Sequence, residues 1–479
     1  MNAFLQFSTN HSLFHSNKEF GILTIQTGKG DKSNFDKCYE KLAILMTIDI
    51  SFSMDEGPLG EIKKINQVKQ TMIKILKLFS ELKNIYVSVE LFNTTTQTLF
   101  DFTEITNKNI IELTEKIVSI EIDGYTNIEN ALKNAEEKIM NWQNNHSSHK
   151  MFHILLTDGD ATKGEKNPYI LAEIPLVSGH LRNIFLGFGK DHNSYLLDVL
   201  SCSSDKNEYW FVDKITRLGM ICGEVVHSIL YPGIENVYIE LEEGEIYNWK
   251  TNTWSSELEI KNIPLDSEKI YHIRTANPSE ITGKIKGIYN LIEIDVSLDV
   301  LPELKNSVTN CIQHVYLDCY YYRQKVQEIM FESKLENNNI KERVSALYNE
   351  IFQVLSSLSS GSDSLILKHL LDDLYVVYKT YGTEHGHMYS TSRQLSNGRQ
   401  QTYHVSDFSD SETGGRPKLH RETTTTLGPC ALSYYDYLAP KFTKDLLPSR
   451  IIESHTMSDC LENPFKNLNI LRTIEKLCN

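Results

Sequence analysis

The alternation of apolar and polar positions divides the chain into distinct textures. Residues 42–48 and 151–156 are near-continuous apolar runs, the pattern of strands buried on both faces of a parallel sheet. Residues 181–189 and 209–212 read the same way, 86–92 and 98–100 as an alternating strand pair, and 20–26 as an edge strand. Between them Ile62, Ile65, Val68, Met72, Ile75, Leu76 and Phe79 fall on one side of a helix over 61–82. Further helices are predicted over 109–120, 127–142, 192–204 and 214–230. Strands alternating with helices predict an α/β fold, a doubly wound, Rossmann-like sheet covered on both faces.

After Pro232 the helices stop. Residues 237–241, 258–260, 270–273 and 291–296 alternate apolar with polar side chains, which predicts a small antiparallel, β-sandwich-like domain. Helical period returns over 308–334, 341–358 and 363–381, with a Ser-Gly break at 359–362, and predicts a helical hairpin or bundle. Residues 383–433 are rich in Ser, Thr, Gly and His with few apolar anchors, and read as a flexible linker. The expected division is an N-terminal extension (1–19), an α/β domain (20–230), a β domain (231–302), a helical region (303–382), the linker (383–433) and a C-terminal segment (434–479). The α/β domain's closing helix runs almost directly into the first β strand, so the β and helical parts are expected to pack together.

Composition narrows the classes. At 479 residues the chain is too long for one core. A hydrophobic content of 40% with 23% charged residues is that of ordinary globular proteins. A formal charge of −15 argues against nucleic-acid phosphate as the main ligand. No run reaches the roughly 18 apolar residues of a membrane span, and the first residues lack the pattern of a signal peptide. The eight cysteines include no Cys-x-x-Cys and read as reduced structural thiols, which makes the cytoplasm the expected compartment.

The candidate chemistry sits at strand ends. The first apolar run closes in Asp49-Ile50-Ser51-Phe52-Ser53, an Asp-x-Ser-x-Ser that places one carboxylate and two hydroxyls past a strand's carboxyl end. Ligands bind there in open α/β sheets. Alone the pattern also fits helix capping. Two more segments add donors: Asp123-Gly124-Tyr125-Thr126 before a helical run, and Thr157-Asp158-Gly159 after the second buried strand. Oxygen donors without His or Cys suit a hard cation such as Mg²⁺ or Mn²⁺. Together these segments resemble the metal-ion-dependent adhesion site of von Willebrand factor type A domains. The resemblance implies that Asp49, Ser51, Ser53, Thr126 and Asp158 hold the cation, some through water. It also implies that a partner protein supplies an acidic side chain to the ion, and that the domain binds without catalysing.

Phe52 stands where that family usually has Gly, and Tyr125 where Gly is frequent. They read either as an aromatic rim for a partner or, for Phe52, as a side chain packed inward on the first helix. Asp55 and Asp160 read as solvated loop acids. The order of domains resembles plant proteins of the WAVY GROWTH 3 type, with Arg393-Gln394-Leu395-Ser396-Asn397-Gly398-Arg399, Tyr437-Leu438-Ala439-Pro440 and Ser454-His455-Thr456-Met457 as short C-terminal motifs. Those proteins carry a RING finger, for which this chain has no Cys/His array. The ubiquitin link therefore reduces to an alternative, a scaffold that recruits substrates for a separately supplied ligase. Another alternative is a scaffold with a vestigial metal site.

An enzyme reading also exists. Asp158-Gly159-Asp160-Ala161-Thr162 resembles the Asp-x-Asp-x-Thr of haloacid-dehalogenase-type phosphatases, with Asp158 as nucleophile, Asp160 as acid/base and Mg²⁺ on the phosphoryl oxygens. It leaves Asp49, Ser51, Ser53 and Thr126 unexplained, and Gly189-Lys190-Asp191 is only a faint echo of that family's late acidic motif. No P-loop, Gly-x-Ser-x-Gly or His-Glu-x-x-His occurs. His385-Gly386-His387 reads as a surface loop, Tyr320-Tyr321-Tyr322-Arg323 as helix packing, and Thr423–Thr426 as linker.

Overall fold

The chain opens in a sheet that it completes only near residue 300. In the computed structural model, β1 (Asn2–Phe7) pairs with β2 (Glu19–Gln26), and the α/β unit then follows. It runs β3 (Leu42–Asp49), α1 (Lys64–Ser80), β4 (Ile85–Phe92), β5 (Thr96–Glu104), α2 (Ile110–Val118), α3 (Ile128–Asn145) and β6 (Lys150–Thr157). It continues through α4 (Pro168–Ala172), β7 (Arg182–Phe188), α5 (Ser194–Cys202), β8 (Glu208–Val212) and α6 (Leu218–Leu230). Strands β9 (Ile234–Glu242), β10 (Glu245–Asn248), β11 (Thr253–Ser255), β12 (Glu257–Ile263), β13 (Glu268–Thr275), β14 (Thr282–Tyr289), β15 (Ile292–Ser297) and β16 (Asp299–Val300) come next. Four helices follow: α7 (Thr309–Glu332), α8 (Ile340–Ser357), α9 (Ser362–Thr380) and α10 (Glu384–Arg399). The structure describes residues 2–7, 18–29, 41–56, 63–174, 181–189, 192–204, 206–212, 218–289, 292–300, 309–335, 339–357 and 362–401. The motifs at 437–440 and 454–457, the 423–426 threonines, Lys190-Asp191 and the C-terminal segment lie outside them. Among the described residues no helix is long and apolar enough to cross a membrane.

The α/β sheet has the order β5-β4-β3-β6-β7-β8, all parallel except the edge strand β5. All eight residues of β3 are buried, because helices cover both faces. Leu42, Ile44, Met46 and Ile48 point into one core with α1 and α6, while Ala43 and Leu45 point into the other with α3. From β3 the chain steps to β4 on one side, and β6 lies on the other. The carboxyl ends of β3 and β6 therefore flank the point where strand order reverses, the place where such sheets bind ligands.

The β domain is a sandwich of sheets β11-β10-β13-β2-β1-β16 and β12-β9-β14-β15. This corrects two expectations. Residues 20–26 are not an edge of the α/β sheet: β2 lies inside the sandwich, antiparallel to both β13 and β1. Nor are the first residues a mere extension, since β1 is part of the same sheet. The alternation in β2 shows why. Leu23 and Ile25 face the second sheet, and Phe20 and Ile22 face the helices, so both faces are buried. β13 divides likewise, with Ile270 toward the helices and Ile273 toward the other sheet. The β and helical parts thus share one core, in which Tyr320, Tyr321 and Tyr322 are buried as sequence suggested.

A third correction concerns residues 383–433. Glu384–Arg399 is helix α10, not linker, and most of it is buried. Its weak apolar pattern hid it, because hydrogen bonds seat it in place of apolar contacts. Arg393 Nε donates to Asp373 Oδ1 at 2.7 Å and Asn397 Nδ2 to Asp373 Oδ2 at 2.6 Å, while Arg323 donates to the Asn397 carbonyl. On its other side Tyr209 of β8 meets Ser392 Oγ at 2.9 Å, Ser194 of α5 donates to the Met388 carbonyl, and Gln401 pairs with the backbone of Phe211. Gly398 lets the Trp249 ring lie on the helix, since a methyl group there would come within 2.2 Å of it. α10 joins the α/β domain, the sandwich and the helices.

Candidate metal centre

Three loops at the carboxyl ends of β3 and β6 and ahead of α3 are tied into one platform. After Asp49 the chain makes a short 3-10 turn, Phe52–Asp55, anchored by the fully buried Met54. Asp123 N donates to the Ile50 carbonyl at 2.9 Å and Phe52 N to the Gly124 carbonyl at 3.1 Å, which joins the first loop to the second. Gly124 has φ +77°, and a Cβ there would meet Thr94 Oγ1 at 2.9 Å, so both conformation and space require glycine. Thr126 N accepts no freedom either: it donates to Thr162 Oγ1 at 2.9 Å, and Thr162 N donates back to the Thr126 carbonyl at 2.9 Å. That exchange joins the second loop to the third. Asn127 then caps α3 through Asn130 N.

These ties bring the five sequence-predicted residues together. Ser51 N donates to Asp49 Oδ1 at 2.9 Å, and Ser51 Oγ and Ser53 Oγ are 3.0 Å apart. Ser53 Oγ donates to Asp158 Oδ1 at 2.7 Å. A methyl group on Gly159 would lie 3.6 Å from both Ser53 Oγ and Thr126 Oγ1, so those hydroxyls line the same small space. Asp49, Ser51, Thr126 and Asp158 are buried, and Ser53 is half-buried.

Two partners were missed in the sequence. Thr157 Oγ1 donates to Asp49 Oδ2 at 2.6 Å; its signal was a hydroxyl next to Asp158 in an otherwise apolar strand. Lys64, the first residue of α1, places Nζ 2.5 Å from Asp158 Oδ2. A lysine at a helix start is ordinarily solvated and gave no signal. Burial lowers the Lys64 pKa, but Asp158 and then Glu56 outweigh it, and the net shift is upward.

The electrostatics fit a cation. Burial, and then the charge of Asp158, push the Asp49 carboxyl from 3.8 up to about 6, against the hydrogen bonds from Ser51 and Thr157. Two carboxylates and three hydroxyls, all oxygen, are a hard donor set for an octahedral ion. Among the described residues no group of three or more His, Cys, Asp or Glu side chains is placed to hold a metal ion.

A pH dependence follows. Because the native pKa of Asp49 is raised, the stability this group contributes is complete below about pH 4 and lost as pH rises through about 6. In EDTA the stability difference between wild type and Asp49→Asn is expected to change across that window. A divalent ion held by Asp49 would need its carboxylate ionised, so its affinity is expected to weaken below about pH 6. Mn²⁺ titrations at pH 5 and 7 check this, and equal affinities would contradict it.

Around the donors lies an exposed rim. Phe52 is 56% and Tyr125 55% exposed, their rings edge-to-face at 6.2 Å, with Lys163 Nζ 5.1 Å from the Tyr125 ring. Phe52 therefore faces solvent and does not pack on α1. Asp55 pairs with Lys63 at 2.7 Å, both exposed, and Asp160 is exposed.

The family comparison agrees with the fold of residues 44–221. Residues 44–221 match the family model of the von Willebrand factor type A domain. Inter alpha-trypsin inhibitor heavy chain 4 of Mus musculus is 30% identical over 229 residues, 45% of this chain and 24% of its own. The chain spans about a quarter of the length of the curated relatives it matches. Among solved structures, a von Willebrand factor type A protein from Catenulispora acidiphila is 10% identical, covering 77% of this chain and 89% of its own at a TM-score of 0.47. Proximal thread matrix protein 1 from the mussel byssus, with a zinc-occupied MIDAS motif, is 18% identical, covering 44% and 48% at 0.33. The chain carries a von Willebrand factor type A domain at residues 44–221.

Proposed function

We propose that the chain is a metal-dependent protein-binding module in which Asp49, Ser51, Ser53, Thr126 and Asp158 hold Mg²⁺ or Mn²⁺. The observation that carries this reading is the convergence of five oxygen donors, two of them buried carboxylates, from three loops at the reversal point of the sheet. The bound ion supplies one coordination position for an Asp or Glu of a partner protein. The chain's own residues do the rest: Thr157 and the Ser51 amide orient Asp49, Ser53 orients Asp158, and the rim offers apolar contact beside the ion.

Capture of partners on the immobilised full chain with Mn²⁺, eluted with EDTA, tests it. Capture indifferent to EDTA and to Asp49→Ala would count against it. Phe52→Gly is expected to leave Mn²⁺ affinity unchanged and to weaken binding of a captured partner about tenfold, as for loss of an aromatic anchor. Unchanged partner binding would remove the rim from the account.

A further inference from the structure

Asp158 already has a cation beside it. Its two carboxylate oxygens are both engaged, Oδ1 by Ser53 and Oδ2 by the Lys64 ammonium at 2.5 Å. The carboxylate is fully buried and the Lys64 side chain only 15% exposed, so this is not a pair idling in solvent. Lys64 also has a second acceptor. Glu56, whose side chain is 70% exposed, lies 3.4 Å from Nζ, and the Lys64 amide donates to the Glu56 carbonyl at 3.2 Å. That backbone bond keeps the second carboxylate within reach wherever the ammonium sits. An ammonium and a divalent ion sharing one buried carboxylate repel each other in a low-dielectric site.

We infer that Lys64 is the resident counter-cation of the site in the metal-free chain, and that a divalent ion enters by exchange with its ammonium, which moves outward to Glu56. This rests on the five-oxygen reading above and adds the residue that sets its affinity. The metal-free chain keeps Asp158 neutralised and folded, and the ion must compete with a tethered charge. Glu56 lowers the cost of release by giving the ammonium a second seat.

Mn²⁺ titrations of the full chain, followed by loss of the free-ion EPR signal, test the exchange. If the ammonium occupies the site in about nine molecules of ten, Lys64→Met should bind Mn²⁺ about tenfold more tightly than wild type. Lys63→Met, which breaks the exposed pair with Asp55, should bind as wild type does. Glu56→Gln should weaken Mn²⁺ binding in wild type and leave it unchanged in the Lys64→Met background, where no ammonium needs a seat. Lys64→Gln serves as a second variant, with circular dichroism in EDTA confirming the fold of each. Equal or weaker binding by both Lys64 variants overturns the exchange. If wild type binds Mn²⁺ and Asp158→Ala does not, that failure leaves the metal site standing. If neither wild type nor the Lys64 variants bind Mn²⁺, the site and the exchange fall together.

Discussion

Asp158→Ala is expected to abolish the stabilisation that Mg²⁺ or Mn²⁺ gives the wild-type chain in a thermal melt. An ion at 100 times its Kd adds about 2.7 kcal/mol to the folded state. The substitution removes one of two carboxylates, the acceptor of Ser53 and the partner of Lys64 at once. Nothing else in the donor set replaces that charge, since Ser51, Ser53 and Thr126 are neutral. Asp160→Ala is the matched control. It removes an exposed acid two residues away, the general acid of the phosphatase alternative, and should leave the metal response intact. A full response in Asp158→Ala would show that the stabilising ion binds elsewhere.

Asp373→Ala is expected to lower the stability of the chain by about 3–5 kcal/mol, the usual cost of breaking a buried ion pair from one side. Its carboxylate is fully buried and is shared by Arg393 and Asn397, the residues that seat α10 on the helical region. Asp373→Asn keeps an acceptor for part of this network and should lose less. Urea unfolding checks both. A loss below about 1 kcal/mol in Asp373→Ala would mean that α10 is held by its apolar neighbours, with the polar network incidental.

The α/β domain was legible because its physics is local to each segment. A run such as Leu42–Asp49, buried on every residue, admits few readings other than a central parallel strand. The donors were legible because an Asp-x-Ser-x-Ser and an Asp at strand ends have chemistry as well as position. What sequence missed depends on partners distant along the chain. β2 pairs with β13, about 250 residues later, and no local pattern states that. α10 is buried through Ser392, Arg393, Gln394 and Asn397, so its composition reads as solvated until Asp373, Arg323 and Tyr209 are placed around it. Lys64 escaped for the same reason, since its function comes from Asp158, nearly a hundred residues away.

The most direct measurement of the central claim is anomalous diffraction from crystals of the full chain grown with Mn²⁺. One strong peak is expected within bonding distance of oxygens from Ser51 and Ser53, adjacent to Asp49, Thr126 and Asp158, with Lys64 Nζ withdrawn toward Glu56. A saturating Mn²⁺ soak that leaves no peak among these five residues, or places its peak elsewhere, would contradict it.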